Sequence, residues 1–246
     1  MPNRLSGVKV LVTRQRDRQS QLAELLDAEG AVVITAPAIE VHPVDQEELR
    51  QGLTALGRAA WVVFTSVNGV ESIAAEWPHH DFRGRIATVG PATANAVHRL
   101  LGIRSEHAAK YHADALVQRF ASEFSGRVLL IRGDRADTRV RDSILARNLE
   151  LADVIAYRTV WVEWDTLPEE PDLFAFASAS AVHSTHQNLA RLESADWLRF
   201  KPKAAMGPTT ANALRELGYE GSVSAQDSTL VGLLGAIVSA SGRSAS

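Results

Sequence analysis

The stretch Ala87-Thr88-Val89-Gly90-Pro91-Ala92-Thr93-Ala94-Asn95-Ala96-Val97 returns as Ala204-Ala205-Met206-Gly207-Pro208-Thr209-Thr210-Ala211-Asn212-Ala213-Leu214. The Gly-Pro pair, a threonine and the run Ala-Asn-Ala recur in order, and repetition on this scale constrains architecture before any single element is assigned. Working outward, Phe64-Thr65-Ser66-Val67-Asn68-Gly69-Val70 answers to Phe176-Ala177-Ser178-Ala179-Ser180-Ala181-Val182, and Val10-Leu11-Val12-Thr13-Arg14 to Val128-Leu129-Leu130-Ile131-Arg132. Offsets of about 117, 112 and 118 residues, in one order along the chain, mark an internal duplication.

Within each copy, short β-type apolar runs alternate with amphipathic helix patterns. That alternation predicts parallel sheets with helices on both faces. Leu22, Leu25 and Leu26 form one helical stripe, and Leu214 with Leu217 another. Gly30 follows the first helix as a left-handed C-cap would; its counterpart, Asn148, is the next best residue for that conformation. Ala31 to Val44 and Ala152 to Trp164 are too long for one ordinary strand, and Pro37 interrupts the first. If both cross between lobes, each lobe takes its opening strand and helix from one copy and the rest from the other. The expected fold is α/β, with two doubly wound parallel-sheet lobes joined by a two-strand β ladder. Residues 1–37 with 163–246 form lobe one and 38–162 lobe two, with crossings near 36–44 and 153–164.

The totals narrow the function. A chain of 246 residues, 46% hydrophobic and 22% charged, has the means for two modest domains. A net charge of −3, from 26 basic and 29 acidic residues, offers no broad basic field, so neither nucleic acid nor an anionic membrane surface is expected as a partner. With no cysteine, thiolate chemistry and disulfides are excluded. The opening Met1-Pro2-Asn3-Arg4-Leu5-Ser6-Gly7 lacks a signal-peptide pattern, and no apolar run approaches the roughly 20 residues of a membrane helix. The expected location is the cytoplasm. The small, polar residues 239–246 read as a frayed tail.

Ligands of doubly wound sheets bind beyond the strand carboxyl ends, where loops enter helices. The repeated motifs fall there. Ser66, Asn68, Ser178 and Ser180 follow strands, each equally readable as a simple helix cap. The turns Gly90-Pro91 and Gly207-Pro208-Thr209-Thr210 put proline at a first helical position and glycine where a ligand can approach, though glycine there can also serve the turn alone. Together these loops offer N–H groups and hydroxyls suited to carboxylate or phosphate, so the expected ligand is a polyanion. Arg14 and Arg132 end equivalent strands and offer positive charge, with an ion pair as the alternative for each. Dinucleotide, P-loop and hydrolase-elbow motifs are all missing. His79 and His80 lack spaced metal-binding partners and read as structural or solvent-facing, and no metal site is expected. Tyr157 lies in the second crossing, where a phenol would stand between lobes; a packing role is the alternative.

In these motifs, and in Val89-Gly90 with Thr93, Ile131-Arg132-Gly133 and Tyr157-Arg158-Thr159, the chain resembles the uroporphyrinogen-III synthase family along essentially its whole length. The resemblance implies a monomer without metal or organic cofactor. It implies the substrate hydroxymethylbilane, a linear tetrapyrrole bearing acetate and propionate groups, which agrees with the polyanion reading. The reaction expels the terminal hydroxyl, passes through a spiro intermediate and closes the macrocycle with its last ring inverted, a matter of orientation. The resemblance makes Tyr157 the candidate proton donor to the leaving hydroxyl, since an ordinary phenol, pKa about 10, holds its proton at neutral pH. It assigns Arg14, Thr65, Ser66, Asn68, Gly90, Thr93, Arg132, Gly133, Ser178, Ser180, Gly207, Thr209 and Thr210 to substrate binding or backbone placement. It also allows transient contact with hydroxymethylbilane synthase. Ala177 and Ala179 depart from the family pattern, so the second serine loop is expected to bind less tightly. The alternative is a non-catalytic two-lobed module, binding or regulatory, derived from the synthase.

Overall fold

The computed structural model describes residues 3–13, 16–77, 82–108, 113–120 and 122–242. The chain divides into two compact units, Met1–Glu40 with Val160–Ser246 and Val41–Thr159.

The discontinuous unit is built on five strands: β1 (Lys9–Val12), β2 (Val32–Thr35), β9 (Leu173–Phe176), β10 (Lys203–Ala205) and β11 (Val223–Ser224). They lie in the order β11-β10-β9-β1-β2, and each neighbouring pair is parallel. Alternation sorts the side chains into two layers. Val10, Val12, Leu173 and Ala175 pack with Leu22 and Leu26 of α1 (Arg16–Ala28) and Leu233 and Ile237 of α10 (Leu230–Ala240). Leu11, Phe174 and Phe176 face the opposite layer, with Val182 and Leu189 of α7 (Ala179–Arg191) and Leu214 of α9 (Pro208–Glu216). Apolar burial on both faces makes these strands continuous apolar runs. α10 takes in Ser239 and Ala240, which the composition assigned to a frayed tail, because the helix continues from the buried Ile237 and Val238. Residues 243–246 lie outside the described residues.

The other unit carries β3 (Ile39–Pro43), β4 (Trp61–Phe64), β5 (Arg85–Thr88), β6 (Glu106–His107), β7 (Arg127–Gly133) and β8 (Glu150–Trp161), in the order β3-β8-β7-β4-β5-β6. The pairs β7–β8, β7–β4, β4–β5 and β5–β6 are parallel. Val62, Phe64, Leu129 and Ile131 pack with Leu49 and Leu53 of α2 (Gln46–Leu53), Val70 and Ile73 of α3 (Val67–Ile73), and Val97 of α4 (Pro91–Leu101). Trp61, Val63, Val128 and Leu130 face Leu116 and Phe120 of α5 (Ala113–Phe120) and Val140 and Ile144 of α6 (Arg139–Leu145).

Under the repeats, β6-β5-β4-β7-β8 corresponds strand for strand to β11-β10-β9-β1-β2. Each sheet therefore combines the opening β-α-β of one copy with the remainder of the other. The chain passes between units after Glu40 and after Thr159, in β3 and β8, which are neighbours in the second sheet. β8 runs unbroken for 12 residues. Its counterpart splits into β2 and β3 around Ala36-Pro37-Ala38, where proline removes a ladder donor. Gly30 and Asn148 both take left-handed backbone, φ 78° and 53°.

Candidate active site

In each sheet successive connections diverge to opposite sides of one strand pair, β4 and β7 in the second unit and β1 and β9 in the first. The crevice at such a switch point is where α/β sheets bind ligands. Ser66 and Gly133 stand at the ends of β4 and β7, and Tyr157 lies on β8 beside Gly133.

Ser66 takes extended backbone, φ −157° and ψ 161°, and caps α3 by accepting from Gly69 N at 3.2 Å. The same Oγ lies 2.9 Å from Tyr157 Oη. The ring belongs to the apolar layer of Phe64, Val70 and Ile131, and Tyr157 is 8% exposed. Gly133 makes room for it: a β-carbon there would stand 2.5 Å from two ring carbons and 2.8 Å from the hydroxyl. A register shift between Arg132 and Gly133 brings Gly133 opposite Tyr157.

Arg132 takes the ion-pair alternative. Its Nε and Nη2 donate to the two carboxylate oxygens of Asp153, each at 2.8 Å, and Nη1 donates to Gly133 O at 3.1 Å. The bond to Asp153 raises the guanidinium further above its already high value. This pair, a buried guanidinium on a partly exposed carboxylate, anchors the end of β7. Asp134 adds a second anchor. Its Oδ1 accepts from Thr159 N and from Arg135 N, both at 2.9 Å, and its own N–H donates to Tyr157 O at 3.1 Å. Sequence reasoning missed both acids. Asp134 reads as an ordinary turn residue after glycine. Asp153 stands at an exposed position of β8 and reads as an ordinary solvent-facing acid.

Thr65 Oγ1 is buried without a hydrogen-bond partner among the described residues. Asn68 lies in the first turn of α3, its carbonyl accepting from Ser72 Oγ. Gly90 precedes Pro91 at the start of α4, whose first turn buries Thr93. In the first unit Ser178 caps α7 by accepting from Ala181 N at 3.2 Å, as Ser66 caps α3, and Ser180 follows in the first turn. Gly207 precedes Pro208 at the start of α9, Thr209 is exposed and Thr210 buried. Within each unit these residues gather at strand carboxyl ends. Arg14, His79 and His80 lie outside the described residues.

The family model described as uroporphyrinogen-III synthase HemD matches residues 20–235. This chain belongs to the uroporphyrinogen-III synthase family. A uroporphyrinogen-III synthase of Synechococcus elongatus is 28% identical over 95% of both chains, and a putative one of Methanothermobacter thermautotrophicus is 29% identical over 84% of this chain and 88% of that one. In fold, the crystal structure of a mutant uroporphyrinogen III synthase from Thermus thermophilus matches 97% of this chain and 100% of that chain, at 17% identity and a TM-score of 0.68. The synthetase of Helicobacter pylori matches 94% of this chain and 99% of that chain, at 14% identity and a TM-score of 0.61. Family membership accounts for the α/β units and their parallel sheets. Ser66, Gly133 and Tyr157 form a cluster with two hydroxyls at the switch point of the second unit.

Proposed function

We propose that this chain is a uroporphyrinogen-III synthase acting on hydroxymethylbilane, the cyclising lyase that inverts the last ring. The family match over residues 20–235 carries the reading. Consistent with it, the strand ends present capping hydroxyls and glycine-proline turns, which suit a flexible polycarboxylate. Catalysis is then mainly orientation, holding the chain so that the disfavoured closure wins. Tyr157 supplies the proton that makes hydroxide a workable leaving group. Thr65, Ser66, Asn68, Gly90, Thr93, Gly133, Ser178, Ser180, Gly207, Thr209 and Thr210 place the substrate's acids and backbone contacts, and Arg14 adds charge. Arg132, held by Asp153, serves this placement through Gly133.

The working form is a monomer in the cytoplasm, taking substrate from hydroxymethylbilane synthase by transient contact. Among the described residues no helix is long and apolar enough to cross a membrane. The deciding experiment feeds freshly generated hydroxymethylbilane, oxidises the product and separates the isomers. The inverted isomer should exceed the enzyme-free control. Only the uninverted one would refute the assignment, and saturable binding without turnover would return the binding-module reading.

A further inference from the structure

Tyr157 has a difficulty as a direct donor. Its ring is in the apolar layer and 8% of the residue is exposed, whereas Ser66, bonded to its hydroxyl, is only half-buried. The serine oxygen has two lone pairs and one proton. One lone pair receives Gly69 N–H, and the phenol, the more acidic of the two hydroxyls, is the better donor into the other. Ser66 then keeps its own proton for a third partner, on the more accessible side of the pair.

The duplication supplies an internal comparison. Ser178 occupies the place of Ser66 and caps its helix in the same way. By the repeat offset of about 118, the counterpart of Tyr157 is Ile39, which packs against the equivalent apolar layer. Capping and packing are thus met in the first unit without a phenol at this position. Among the described residues, the hydroxyl pair at these positions belongs to the second unit alone.

We propose that Ser66 relays the proton of Tyr157 to the leaving hydroxyl, an inference that rests on the synthase reading above. The C–O bond of the hydroxymethyl group breaks with its electron pair on oxygen, and that oxygen takes the Ser66 proton and departs as water. Ser66 Oγ takes the Tyr157 proton, leaving a phenolate. When the ring carbon that closes the macrocycle loses its proton, that proton returns through Ser66 to the phenolate. The balance is one water lost per turnover.

The test compares Ser66→Ala, Ser66→Asn, Ser66→Thr, Tyr157→Phe and the double Ser66→Asn/Tyr157→Phe, by kcat and KM on freshly generated hydroxymethylbilane. Asparagine keeps the helix cap but has no hydroxyl, which separates relay from folding. Ser66→Asn and Tyr157→Phe should each lower kcat about 10-fold or more with KM little changed. Ser66→Thr should return most of the rate, and the double variant should be no slower than the worse single one. If Tyr157→Phe is slow while Ser66→Asn is not, or if the two losses multiply, the relay is wrong and Tyr157 acts alone. If Tyr157→Phe turns over normally, the donor assignment itself fails. If no variant and no wild-type preparation forms the inverted isomer, the synthase reading fails first.

Discussion

Gly133 and Tyr157 occupy one space: a β-carbon on the first would meet the ring of the second at 2.5 Å, well inside van der Waals contact. The phenol therefore lies where it does because residue 133 has no side chain. Gly133→Ala should push the ring from Ser66, costing about 1–3 kcal/mol of stability by overpacking. Turnover should fall with it, by about 10-fold if proton delivery is lost. Urea unfolding and kcat together check this, and a variant with unchanged kcat would show that the ring can shift without consequence.

The Arg132–Asp153 pair predicts an asymmetric response. Asp153→Leu leaves the buried Arg132 guanidinium without its partly exposed carboxylate partner and should cost about 1–3 kcal/mol. Adding Arg132→Met removes the stranded charge and should recover much of that loss, because what is costly is a bare charge rather than an absent pair. Denaturant midpoints of the single and double variants decide it. If the double variant is no more stable than Asp153→Leu, the stranded guanidinium is not what costs stability.

Asn188 ties the chain's return into the first unit. Its Oδ1 accepts from Trp164 N at 2.8 Å, and its Nδ2 donates to Val162 O at 2.7 Å and Ser184 O at 3.1 Å. Asn188→Asp keeps the shape but turns a carboxylate oxygen toward two carbonyls. A loss of about 1–3 kcal/mol is expected at neutral pH. The loss should shrink in acid, where a protonated carboxyl can donate again, and urea titrations at two pH values measure it.

Lys203 predicts a rise of stability with pH. Its ammonium is buried and donates to Leu198 O and Lys201 O, both at 2.9 Å, and burial lowers its pKa from the ordinary 10.5. Between the folded value and 10.5 the unfolded chain binds more protons, so this group's contribution to stability increases as pH rises through that window. Lys203→Met should lack the increase. The difference in unfolding midpoint between wild type and variant, followed from neutral to alkaline pH, should change in that direction; a flat difference would contradict it.

The duplication, the alternation of elements and the family resemblance were legible in the sequence because they reside in local pattern. Apolar runs of period two, helical stripes and Gly-Pro turns act through neighbours in the chain, and their repetition needs no coordinates to be seen. Ser66 and Ser178 were readable as helix caps for the same reason. Pro37 announced the break that separates β2 from β3, since its missing N–H is a local property.

Tertiary structure decided the partners. Ser66 and Tyr157 are 91 residues apart, and nothing local to either indicates that their hydroxyls meet. Arg132 had two readings from sequence, ligand charge or ion pair, and only the register of β7 against β8 set Asp153 beside it. The demand for a glycine at 133 likewise arises from an aromatic ring on another strand. Sequence alone determined which elements form and that they form twice; pairing across the sheet determined which side chains share a proton, a charge or a space, because those energies depend on distance in space rather than on separation along the chain.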